Sequence, residues 1–228
     1  MITSEEIIRW QSQAVVHWHQ GGAETDPHPI ESLAALGLVA PDPLLRAILV
    51  NHDFNFRLWH EEDLARDRRA SDAEIAAVKR RIDGLNQHRN DAIERIDQTI
   101  AESLIATGAI QLADAGLSTE TPGAAIDRLS ILALRVFHYA QRAQALENSD
   151  ASERTDPSEP AGDSEAAVGS RIVAAWQTCL VQQRRLGIAL DQLLTDIVAG
   201  RRRHDVFQQL KMYNDPALNP LLADDRQP

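Results

Sequence analysis

The chain has 228 residues, 43% hydrophobic and only 4% aromatic, and a formal net charge of −11. That length allows one large or two small domains with ample apolar surface for a core, and the alanine-, leucine- and isoleucine-rich composition favours helices over a sandwich or barrel. The acidic balance disfavours a nonspecific nucleic-acid binder.

No charged-then-apolar leader opens the chain, and no apolar run is long enough to cross a bilayer. A lone cysteine, Cys179, sits in an apolar helical run and reads as a small buried hydrophobe. A soluble cytoplasmic protein is expected, with no membrane partner.

Thr3-Ser4-Glu5-Glu6 is a capping-box pattern that predicts a first helix carrying Ile7, Trp10, Val15 and Trp18. His17 and His19 flank Trp18 and are expected to be solvated. Asp42-Pro43 is an N-cap followed by a first-turn proline, and predicts a second helix to about Asp67. Ser71 to Glu74 is another capping box, opening a long helix that ends near Ala106, before Gly108. Its apolar stripe is Ile75, Val78, Ile82, Leu85, Ile93, Ile96 and Ile100, the spacing of a bundle helix.

Thr121-Pro122-Gly123 begins a further core helix. After it, residues 147–165 carry almost no apolar content and predict a flexible, disordered acidic linker. From Ala166 another helix carries Ile172, Trp176, Leu180, Leu190, Leu193 and Ile197, and Gly200 closes it. A short helix through Val206, Leu210 and Met212 then leads into turn chemistry at Tyr213-Asn214-Asp215-Pro216. The fold expected is all-α, a bundle of about five to six helices. It forms a single domain over residues 1–228, with the acidic insertion inside it.

Three of these helices thread polar groups through an apolar face. Asn51 to Arg66 places His52, Asn55, Phe56, Trp59, Glu62, Asp63 and Arg66 on one side. The next helix borders its core stripe with Lys79, Asp83, Asn86, Asn90 and Asp97; two mid-helix asparagines cost stability unless something uses their amides. The helix after Thr121 aligns Asp127, Ser130, Ile131, Leu134, His138 and Gln141. For any single residue, a salt-bridged or hydrogen-bonded core role weighs about as much as a functional one.

The segments LWHEEDLAR, IDGLNQHRNDAIERID, IDRLSILAL with the following His138, and KMYNDPALNP resemble the signature blocks of a bacterial family classed as a domain of unknown function. Arg135 departs from the lysine expected there but keeps the charge. The resemblance implies an association with polysaccharide assembly. More narrowly, it implies a hydrolase acting on mycobacterial methylmannose polysaccharides.

Glycoside hydrolysis requires two carboxyl groups, one protonating the leaving oxygen and one activating water or attacking the sugar. Asp63, Glu62, Asp83 and Asp127 are the candidate catalytic residues, with Asp63 paired to Asp127 or Asp83. Trp59 is expected to stack on a sugar ring, while Asn55, Asn86, Asn90 and Arg66 read hydroxyls. His52, His60, Lys79, Asp97, His138, Lys211, Tyr213 and Asn214 complete the candidate substrate-binding set.

The expected partner is an oligosaccharide or polysaccharide, and no cofactor or metal is expected. A rival reading makes the same acids magnesium ligands of a nucleotide pyrophosphohydrolase, with Lys79, Arg66, Arg89 and Lys211 holding phosphates. A third is a non-catalytic helical adaptor in glycan synthesis. A homo-oligomer stays open, because an exposed helix face and a core face read alike in sequence.

Overall fold

The computed structural model describes residues 2–20, 42–153, 163–208 and 217–218. Within them lie five helices: α1 (Ser4–Gln20), α2 (Pro43–Leu64), α3 (Asp72–Ala106), α4 (Pro122–Glu153) and α5 (Asp163–Val198). Among the described residues the only β-type pairing is a single parallel bridge, Gly116 to Arg202, so the fold is an all-α bundle.

The helix starts follow the local chemistry. Asp42 accepts a hydrogen bond from the Leu44 amide at 2.9 Å ahead of Pro43. At α3, Ser71 Oγ accepts from the Glu74 amide while the Glu74 carboxylate accepts from the Ser71 amide at 2.7 Å. Thr3 and Glu6 make the same reciprocal pair at α1. Each satisfies amides that the first turn leaves unbonded.

α2 and α3 form an antiparallel pair. Glu61 meets Arg81 at 2.7 Å, Phe54 stacks on His88, and Leu58 packs with Val78 and Ile82. α4 packs on α5, and α1 ties to α5 where the Ser4 amide and hydroxyl both donate to Asp191. The main core draws on all five helices, with Ile7, Ile48, Ile96, Ile100, Ile126, Leu129 and Leu190 buried together. A second cluster joins α1, α2 and α4 through Val15, Trp18, Leu49, Phe56 and Leu134.

Three expectations need adjustment. Helix α4 continues to Glu153 and α5 begins at Asp163, so helix occupies both ends of the predicted 147–165 linker; residues 154–162 lie outside the described residues. The expected short helix through Val206 is irregular backbone up to residue 208, and its remainder also lies outside. On α5 the buried face runs through Cys179, Gln183, Leu190, Leu194 and Ile197, whereas Leu180 is exposed. Gln183 and Gly187 also occupy inward positions, so apolar identity alone does not mark the whole buried face. No helix among the described residues is long and apolar enough to cross a membrane.

Candidate functional site

Where α1, α2 and α4 meet, the interior turns polar. Asp127, on the first turns of α4, is 4% exposed. Its Oδ1 accepts from Asn51 Nδ2 at 2.9 Å and Asn55 Nδ2 at 2.8 Å, both on α2. From α3, Arg89 Nε approaches the same oxygen at 3.4 Å. A buried carboxylate without such partners would cost several kcal/mol, on the order of the penalty for an uncompensated ion. Three helices are thereby bound to one oxygen.

The network continues from Asn55 Nδ2 to Ser130 Oγ at 2.9 Å, and Ser130 Oγ lies 2.7 Å from His52 Nδ1. The other ring nitrogen of His52 is 2.9 Å from the backbone carbonyl of Gln11 on α1. A carbonyl can only accept, so Nε2 carries the proton, and Nδ1 accepts from the Ser130 hydroxyl. Complete burial is the main cause that lowers the His52 pKa to about 4, and the bond to Gln11 opposes it in part. His52 is therefore neutral at pH 7 and locked in one tautomer.

Two turns further along α2 and α4 the polar groups reach the surface. Trp59 and His138, both half-buried, stack with centroids 4.6 Å apart and planes inclined by 6°. His19 of α1 sits 5.0 Å from His138 and 5.4 Å from His60, and packs against Phe56 and Phe137. Desolvation, followed by the charges of His19 and His60, lowers the His138 pKa to about 4, while nearby Asp63 opposes the shift. His138 Nε2 and His19 Nε2 are both buried without a hydrogen-bond partner. Asp63 stands exposed beside this cluster. The neutral His138 ring, an indole and one carboxylate thus share a half-open face.

Several predicted site residues are placed elsewhere. Glu62 pairs with Arg66 at 3.0 Å, and Asp83 pairs with Lys79, each one turn apart on an exposed face. Asp97 lies under the start of α4, where its Oδ1 accepts from the Gly123 amide at 2.7 Å. Burial raises its pKa, against the bonds from Thr121 and Gly123. Asn86 and Asn90 are half-buried, and their side-chain amides make no hydrogen bond to another described residue. Asn86 lies one turn before Arg89, the α3 residue that reaches Asp127. Lys211, Tyr213 and Asn214 lie outside the described residues.

The acids therefore do not converge as a group. Asp127 is enclosed by amides and Arg89, and Asp63 is the one predicted acid placed by the Trp59–His138 stack. Among the described residues, no three His, Cys, Asp or Glu side chains are grouped to hold a metal ion. Sequence reading also missed His19, expected to be solvated but half-buried here; its spacing of four from buried Val15 was the available signal. Gln11 was missed for a different reason, since only its backbone carbonyl meets His52 and backbone groups leave no mark in sequence.

Residues 45–206 match the family described as Protein of unknown function (DUF4254). The chain belongs to this family. The DUF4254 span takes in Trp59, Asp63, Asp127 and His138, and leaves α1, with Gln11 and His19, outside it. No curated protein and no solved structure matched the chain.

Proposed function

We propose that the Trp59 face binds a saccharide and that the protein hydrolyses an α-linked, mannose-type oligosaccharide or polysaccharide. The observation that carries this reading is the half-buried Trp59–His138 stack with the exposed Asp63 carboxylate at its edge. A sugar is an uncharged ligand that presents one apolar face and a ring of hydroxyls. An indole covers such a face, and neutral imidazole and amide groups serve hydroxyls as both donors and acceptors. The lowered pKa of His138 keeps it neutral at pH 7, and Asn86 and Asn90 offer amides that no described residue uses.

In this reading Asp63 is one of the two carboxyl groups that glycoside hydrolysis needs. Asp127 is a positioning residue: its held carboxylate sets the α2–α4 register that brings Trp59 onto His138. The resemblance to a methylmannose polysaccharide hydrolase, drawn from the sequence blocks, favours mannosides over other sugars.

The test is incubation with a panel of α-linked oligomannosides and nucleoside triphosphates, with and without chelator. Release of shorter mannosides that is insensitive to chelator is the expected result. Chelator-sensitive nucleotide hydrolysis would replace this reading with the magnesium-dependent one. No turnover of either substrate, with a protein partner retained on pull-down, would leave an adaptor.

A further inference from the structure

A second feature lies on the other side of α4. Residues Asp127, Ser130, Leu134 and His138 face α1 and α2, but Arg128, Ile131, Leu132 and Arg135 turn toward α5. With Gln182, Arg185 and Leu186 of α5 they line a groove of about 600 Å³. This volume is within the range of roughly 300–1,000 Å³ usual for small-molecule sites.

The charge of this groove runs against that of the molecule. The protein carries a formal net charge of −11, yet the described residues lining the cavity bring three guanidinium groups and no carboxylate. Arg128 is paired outward with Glu120 at 2.6 Å. Arg135 and Arg185 are exposed and make no hydrogen bond or ion pair with another described residue. Two uncompensated positive charges therefore face one hollow. The remaining described walls are the amide of Gln182 and the aliphatic Ile131, Leu132 and Leu186.

We propose that this groove binds a soluble phosphate monoester carrying an apolar body. A phosphate monoester bears roughly −1.5 to −2 charge near pH 7, which matches the two free guanidinium groups. The guanidinium fork pairs two phosphate oxygens at once, a geometry that an ammonium group lacks. The aliphatic wall accounts for the apolar body, since bare inorganic phosphate would leave it wet. The Trp59 face contributes none of these residues, so this proposal and the saccharide reading fail independently.

The experiment is isothermal titration of the full chain with n-octyl phosphate, with inorganic phosphate and uncharged n-octyl glucoside as comparisons. It is repeated with the double variant Arg135→Gln/Arg185→Gln. Saturable one-to-one binding of octyl phosphate is expected, stronger than that of inorganic phosphate and weakened by added salt. The double variant should bind at least about tenfold more weakly, the effect of losing one charge-assisted bond. Both side chains are exposed, so circular dichroism should show an unchanged fold. Absence of saturable binding, equal binding by wild type and variant, or equal binding of octyl glucoside would overturn the proposal. Binding only to vesicles containing phosphatidic acid, and not to octyl phosphate, would also overturn it, in favour of a membrane headgroup.

Discussion

Asn55 and Asp127, 72 positions apart in the chain, meet at 2.8 Å in the interior, and Asn55 passes the contact on to Ser130 and His52. This contact fixes how α2 lies against α4, and with it the approach of Trp59 to His138.

Removing the carboxylate should therefore unsettle the bundle before it affects chemistry. Asp127→Ala leaves Asn51, Asn55 and Arg89 facing an empty site. It should cost about 3–5 kcal/mol, the usual penalty for breaking a buried ionic contact from one side. Asp127→Asn keeps an acceptor for both amides and should cost markedly less. Urea unfolding measures both. If Asp127→Asn folds with wild-type stability yet loses all turnover, Asp127 acts in the chemistry itself.

Asp63 offers the opposite case. It is exposed, so Asp63→Asn should leave helicity and unfolding midpoint unchanged while lowering kcat on an oligomannoside by about 10²-fold or more. Trp59→Ala removes a stacking surface and should act on KM instead, raising it about tenfold. Full activity of Asp63→Asn would remove this residue from the mechanism.

The pH dependence of stability follows from His52. Its folded pKa is about 4 against an ordinary 6.5, because burial disfavours the charged ring. Between these values the unfolded chain takes up a proton that the native state refuses. Stability is therefore complete above pH 6.5 and declines as pH falls toward 4, by about 3 kcal/mol from this residue. His138 shifts in the same direction and adds to the slope. Denaturant titrations across this window should show the decline. His52→Gln should be less stable at pH 7 but fall less steeply.

Two glycines mark close approaches. A Cβ on Gly123 would sit 2.7 Å from the Ile93 carbonyl and 2.8 Å from the Asp97 carboxyl, so Gly123→Ala pushes α4 off α3. Gly200 has φ of +71°, and its Cβ would collide with the Ile110 carbonyl. Gly123→Ala should cost about 1–3 kcal/mol, the range for forced overpacking. Gly200→Ala should cost more, since backbone strain adds to the clash. Thermal unfolding of both variants gives the comparison.

Helical class and most helix starts were legible in the sequence, because caps and apolar periodicity act within three or four residues of one another. Asp42-Pro43 and Ser71 to Glu74 mark their helices without reference to the rest of the chain. The polar faces of α2, α3 and α4 were legible as well, and Asn55, Asp127, Ser130 and His52 do share one network.

Only the tertiary structure decided which polar residues meet. Asp97 and Asp127 lie on predicted polar faces, yet one caps α4 while the other binds α2, because helix crossing and register set distances between helices. Residues on one turn of a helix point in directions that a local pattern specifies; contacts between turns of different helices depend on how whole cores pack.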